Sequence, residues 1–119
     1  MATYALRLQA LPLDGGKLVL VVEGDLDIES APSLADALDD ALESGRTHIV
    51  IDMSTTTFID STAIHVLVAG ARELRQRFGQ LALACADPGI RRMIEITGLD
   101  LAAPLFESRE AALRGLLNH

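Results

Sequence analysis

Phe58-Ile59-Asp60-Ser61-Thr62-Ala63-Ile64 joins an apolar strand, expected to end at Asp52, to an apolar-faced helix expected to begin near Ser61. The first turn of a helix carries amides with no intrahelical partner, so this junction sets a serine hydroxyl where negative charge is favoured. Advancing about 100° per residue, Ser61, Ile64, Leu67, Val68, Ala71, Leu74 and Phe78 fall on one face, with Gly79 beyond the end. The opposite face carries Thr62, His65, Val66, Ala69, Glu73 and Gln76. Its first two turns are small or apolar and charge comes only later, a surface that suits a protein partner. Just upstream, Ile49-Val50-Ile51 reads as a short buried strand and Asp52 to Thr57 as a polar loop.

Working back from there, Leu6, Leu8 and Ala10 alternate with Arg7 and Gln9, the period of a half-buried strand, and Asp14-Gly15-Gly16 supplies a turn. The unbroken run Leu18-Val19-Leu20-Val21-Val22 fits a strand covered on both faces. An acidic loop from Gly24 to Glu29 follows, then a helix with Ser30 as cap and Pro32 in the first turn. Leu34, Leu38, Ala41 and Leu42 form its apolar stripe, and Gly45 ends it.

Forward from the central helix, Leu81 to Ala86 is a further apolar strand, and Asp87-Pro88 opens a short helix with Ile90, Met93 and Ile94 on one face and Gly98 at its close. Pro104-Leu105-Phe106 reads as either a short edge strand or a packed linker. Ser108 caps a last helix expected to bury Leu113, Leu116 and Leu117. The order β-β-α-β-α-β-α-α, with crossovers long enough for a helix, implies an α/β fold: a mixed sheet with parallel pairs and helices packed against it. Loops after parallel strands gather at one end, which brings the acidic loop and Ser61 to the same edge.

Composition narrows the partners. Half the 119 residues are apolar, enough for one domain with a proper core, and 17 Asp and Glu outnumber 10 Lys and Arg. That balance disfavours nucleic acid or an anionic membrane and suits a protein or cationic partner. The lone Cys85 sits among apolar neighbours and reads as a reduced, buried thiol. With no signal-like start at Met1-Ala2-Thr3-Tyr4 and no run of membrane-spanning length, a cytoplasmic place is expected.

Enzyme chemistry finds little support. The Gly-x-Ser-x-Gly elbow is missing around Ser61. Of the three histidines, His48 begins a strand, His119 is terminal, and His65 follows Ser61 by four residues with nothing obvious to orient it as a base. No Cys or His pair has metal-ligand spacing and no glycine-rich phosphate loop occurs, so no metal or cofactor is expected.

Gly24-Asp25-Leu26-Asp27, Ile51-Asp52-Met53-Ser54, Phe58 to Thr62, Ile94-Glu95-Ile96-Thr97-Gly98-Leu99 and Ser108 to Leu113 together resemble the STAS domain of bacterial anti-sigma factor antagonists. The resemblance spans nearly the whole chain, and Asp60-Ser61-Thr62 is its most specific part. It implies a single STAS domain over residues 1–119, with a mixed four- to five-stranded β-sheet flanked by about four α-helices. It also implies that Ser61 is phosphorylated by an anti-sigma factor that is itself a serine kinase, and that a phosphatase resets it. The partner surface carried over comprises Asp27, Asp60, Ser61, Thr62, His65, Val66 and Ala69. Two positions depart from the family pattern: Ala63 stands where glycine is usual, and His65 where a small residue is common. A methyl and an imidazole on the docking edge would change which partner fits, which keeps open a STAS interaction subunit of a transporter or signalling complex without a phosphorylation cycle.

Overall fold

The computed structural model describes residues 6–117, and of Leu117 the backbone only; Met1 to Tyr4, His119 and the expected burial of Leu117 lie outside the described residues. Strands β1 (Arg7–Pro12) and β2 (Lys17–Leu26) form an antiparallel hairpin, and β3 (His48–Ile59), β4 (Gln80–Ala84) and β5 (Leu105–Phe106) continue the sheet in parallel, in the spatial order β1-β2-β3-β4-β5. The helices are α1 (Ala31–Glu43), α2 (Ser61–Gln76), α3 (Pro88–Thr97), the single turn α4 (Leu99–Ala102) and α5 (Arg109–Leu117). Pro104-Leu105-Phe106 thus contributes a two-residue edge strand.

Period-two alternation sorts the strand residues between two cores. Leu18, Leu20, Val22, Ile49, Ile51, Leu81 and Leu83 point to the face covered by α1, α2, α3 and α4, where they meet Leu34, Leu38, Leu67, Leu74 and Ile94. Val19, Val50, Ala82 and Ala84 point the other way, under Ala112 and Leu116 of α5. Each fully buried Leu or Ile contributes about 1.5 to 3 kcal/mol. Cys85 joins the first core as a free thiol, and burial pushes its pKa up.

The sheet extends further than the polar sequence implied. Neither Asp52 to Thr57 nor Glu23 to Leu26 is loop: β3 runs on to Ile59, pairing Glu23 with Thr55, Gly24 with Thr56, Asp25 with Phe58 and Leu26 with Ile59. Threonine is β-branched and favours extended backbone, so three in succession suit a strand. Two register shifts, between Val21 and Glu23 and between Gly24 and Asp25, break the alternation that would have revealed it. Thr56 turns inward and donates to the Val22 carbonyl at 3.0 Å, while Thr57 donates to the Asp25 carboxylate.

Three further expectations change. Phe78 does not join the core stripe of α2: it lies past the helix end, 95% exposed, at φ 61°. The chain turns back there toward β4, with the Phe78 and Gly79 amides donating to the Arg75 and Leu74 carbonyls. Met93 sits at the margin of its helix face rather than inside it, whereas Ile90 and Ile94 are buried. Ser30 occupies the N-cap position of α1, but its hydroxyl makes no cap and instead folds back onto the preceding loop. Ser108 does cap α5, accepting from the Ala111 amide at 3.1 Å.

Asp52 ties α5 to the sheet. Its carboxylate is almost fully buried and accepts from Arg109 Nε at 2.8 Å and from the Ser54 hydroxyl and amide at 2.6 and 3.0 Å. Burial alone would raise its pKa, but the Ser54 hydroxyl, the Arg109 guanidinium and the Ser54 amide outweigh it, and the net shift is downward. A depressed folded-state value means the unfolded chain takes up the proton first as acid is added. The stabilisation is therefore complete above the unfolded value of about 3.9 and is lost as pH falls through the folded one. In urea titrations, wild type should exceed Asp52→Asn in stability at neutral pH, and the gap should close below about pH 4. A gap constant down to pH 2 would contradict this.

Candidate functional site

At the start of α2 the backbone of Asp60 is still extended, at φ −120° and ψ 179°, and its carboxylate accepts from the Thr62 and Ala63 amides at 3.0 and 3.1 Å. Asp60 therefore takes the cap, and Ser61 is the first helical residue, exposed. Among the described residues no side-chain hydrogen bond engages the Ser61 hydroxyl. The serine lies on the helical face that carries the buried Ile64 and Leu67, yet at this first turn it is itself exposed. Loss of the cap in Asp60→Ala should cost about 1 kcal/mol in denaturant unfolding, with Asp60→Asn close to wild type.

The Asp27 loop is fastened alongside. The Asp60 amide donates to the Leu26 carbonyl at 3.0 Å, so Asp27 and Ser61 each lie one residue past a directly bonded backbone pair. Asp27 Oδ1 accepts from the Glu29 and Ser30 amides, both at 3.0 Å, and lies 3.1 Å from the Ser30 hydroxyl. That hydroxyl also reaches the Asp25 carbonyl at 2.7 Å and accepts from the Asp27 amide at 2.9 Å. The Ser30 amide, against a smaller opposing effect of burial, holds the Asp27 carboxyl below the usual carboxylate range; the Ser30 hydroxyl and the Glu29 amide add to this. Asp27 is thus a fixed negative charge beside an unbonded hydroxyl.

Down α2, Thr62, His65, Val66 and Ala69 follow at spacings of three, one and three residues and make one stripe. His65 and Ala69 are exposed; Thr62 is half-buried, and Val66 packs partly against the core, so it is less free than its sequence position implied. Ala63 is 0% exposed and its methyl points into the core. Of the two departures from the family pattern, only the His65 imidazole stands on the surface, and the expectation of an added methyl at the docking edge is corrected.

Two residues escaped the sequence reading. Ile28, next to Asp27, is 69% exposed, and Phe58, paired with Asp25, is 49% exposed. Both are large apolar side chains flanking the Ser61 edge. Reading β3 as a strand to Ile59 would have turned Phe58 outward, opposite inward Ile59; nothing local marks Ile28. His48 sits at the start of β3, with Nδ1 2.9 Å from the Thr47 hydroxyl, at the far end of the strand from Ser61. Among the described residues no cluster of His, Cys, Asp and Glu could hold a metal, and no helix is long and apolar enough to cross a membrane. Chemically, the edge offers a modifiable hydroxyl at a helix N-terminus, a fixed carboxylate on either side and an apolar fringe.

The family model for the STAS domain matches residues 9–112. BtrV of Bordetella bronchiseptica, named as an anti-sigma factor antagonist, is 31% identical over 97 residues, covering 82% of this chain and 84% of BtrV. The anti-sigma-F factor antagonist RsfB of Mycobacterium tuberculosis is 31% identical over 103 residues, covering 85% and 82% of the two chains. An anti-sigma factor antagonist from Mycobacterium paratuberculosis superposes with a TM-score of 0.87 at 27% identity over 95% of each chain. On this sequence match and this shared topology, the chain belongs to the STAS domain family, among the anti-sigma factor antagonists.

Proposed function

We propose that this protein is an anti-sigma factor antagonist whose unphosphorylated form binds an anti-sigma factor of the serine-kinase type, and so frees a sigma factor. Phosphorylation of Ser61 by that partner ends the binding, and a phosphatase acting on phospho-Ser61 restores it. The observation that carries the reading is the exposed, unbonded Ser61 hydroxyl between the capping carboxylate of Asp60 and the fixed charge of Asp27. The names of relatives over 30% identical, BtrV and RsfB, support the same class of partner.

In this reading Asp27, Asp60, Ser61, Thr62, His65, Val66 and Ala69 form the docking surface, with Ile28 and Phe58 as its apolar fringe. The protein works as one STAS unit in the cytoplasm and is a binding protein rather than an enzyme. The helix start tolerates the phosphate, because its free amides and dipole favour negative charge. Incubation with ATP and the kinase partner, followed by intact-mass measurement, should show one phosphate on the wild type and none on Ser61→Ala. A wild type that stays unmodified would leave the second reading, an interaction subunit of a transporter or signalling complex; the exposed His65 imidazole one turn from Ser61 is the observation that favours it.

A further inference from the structure

A furrow of about 380 Å³ runs between α1 and α2 and shares Val66 and Ala69 with the stripe that leads down α2 from Ser61. It exists because the facing residues are small. Ala35 lies on α1 and Ala69 and Gly70 on α2, and a Cβ at Gly70 would stand 3.1 Å from Leu38 Cδ1, so the helices close tightly beneath and leave a channel above. Leu38, Leu42 and Val66 form the apolar floor.

The walls are charged, and nearly all of one sign. Asp39 and Glu43 stand on α1, and Glu73 and Arg77 on α2. Arg77 is already engaged, 3.2 Å from the Glu73 carboxylate and donating to the Leu42 carbonyl at 3.0 Å. Asp39 and Glu43 have no ion pair among the described residues. No Lys or Arg occurs from Ala31 to Glu43, while Asp36, Asp39, Asp40 and Glu43 all do. Three of those four acids crowd the C-terminal half of α1, where the helix dipole disfavours negative charge. They are not there to stabilise their own helix.

We infer that this furrow receives a cationic amphipathic helix of the protein partner, its apolar row on the floor and its Lys or Arg flanks against Asp39 and Glu43. An extended peptide would need free backbone groups to pair with, and two helices offer none along their length. A helix satisfies its own backbone and can bury an apolar face without help from the walls. The chain's net charge of −7 adds long-range attraction for the same sign of partner. The furrow also continues the α2 stripe, since Ala69 is eight residues, about 12 Å, from Ser61. The inference goes beyond the Ser61 switch and does not need that residue to be modified.

The test uses a randomised library of helical peptides selected against the full chain. Enriched sequences should carry an apolar row at helical spacing flanked by Lys or Arg. Charge reversal on the exposed rim, Asp39→Lys with Glu43→Lys, should weaken the selected peptide about tenfold, with folding checked by thermal melt. The equal charge change Glu95→Lys with Glu107→Lys, on exposed positions outside the furrow, should leave its affinity unchanged. No enrichment, uncharged or acidic winners, or equal weakening by both double variants would overturn the inference. Loss of kinase-partner binding in Ser61→Asp together with a selection that yields no basic amphipathic winners would leave the switch standing while the furrow failed, so the two are separable.

Discussion

Ser61→Asp is expected to bind the anti-sigma factor about 100-fold more weakly than wild type, while Ser61→Ala binds nearly as well and both melt close to wild type. The fold has little reason to object. Ser61 is exposed and unbonded, and a negative charge in the first turn of α2 gains about 0.3 to 1 kcal/mol from the helix end. The interface has every reason to object. Docking would strip water from a new charge that already has the Asp60 and Asp27 carboxylates for neighbours, and a poorly paired buried charge costs about 3 to 4 kcal/mol. That converts to roughly 100- to 1000-fold in affinity. Aspartate carries one charge, so it belongs near the lower figure; a phosphate, at about −1.5 to −2, belongs near the upper. Calorimetric titration beside a thermal melt separates the two effects. Equal binding by Ser61→Asp and Ser61→Ala would dispose of the charge argument.

Gly79→Ala should be the most damaging conservative change outside the site. A Cβ there would lie 1.8 Å from the Thr47 carbonyl oxygen and 2.7 Å from its carbon, both backbone atoms that cannot step aside as a flexible side chain would. The same oxygen accepts the Gln80 amide at 2.9 Å, next to the first pair of the β3–β4 ladder, His48 with Gln80. Accommodating one methyl therefore means shifting a strand and loosening that hydrogen bond, a loss of about 3 kcal/mol. In a domain of this size the melting temperature should fall by about 10 to 15 °C. The neighbouring Phe78 behaves oppositely. It holds a positive φ of 61° with an almost fully exposed ring, so Phe78→Asn relieves a backbone cost and should leave the melting temperature level or higher. A Gly79→Ala protein melting within about 2 °C of wild type would mean the turn has room that the geometry denies.

Where hydrophobic pattern alone decides structure, the sequence was legible. Leu18, Val19, Leu20 and Val22, Ile49 to Ile51, and Ile64, Leu67, Ala71 and Leu74 of the helical stripe all lie in the core, with Val21 and Val68 partly buried. To the order β-β-α-β-α-β-α-α the fold adds the single turn α4 and takes the edge-strand alternative as β5. What stayed hidden depended on contacts between distant segments. Ser54 to Thr57 looks like loop until Glu23 to Leu26 pairs with it, and two register shifts erase the alternation that would have announced a strand. Phe78 continues the helical period of α2, yet the helix must stop so that Gly79 can pass the carbonyl of Thr47, a residue far upstream in the chain. At the candidate site, Asp60 and Ser61 were readable from local capping chemistry. Ile28 and Phe58 were not, because exposure of a large apolar residue is decided by what fails to cover it. The inward turn of Ala63 likewise became visible only once the phase of α2 against the sheet was fixed.

The most direct measurement follows one preparation through the cycle: titrate the anti-sigma factor with the singly phosphorylated chain, remove the phosphate enzymatically, and titrate again. Affinity near absent in the first titration and restored by roughly 1000-fold in the second is the expected result. Equal affinity before and after dephosphorylation, with mass confirming that the phosphate had sat on Ser61, would contradict the proposal that charge at the head of α2 governs docking.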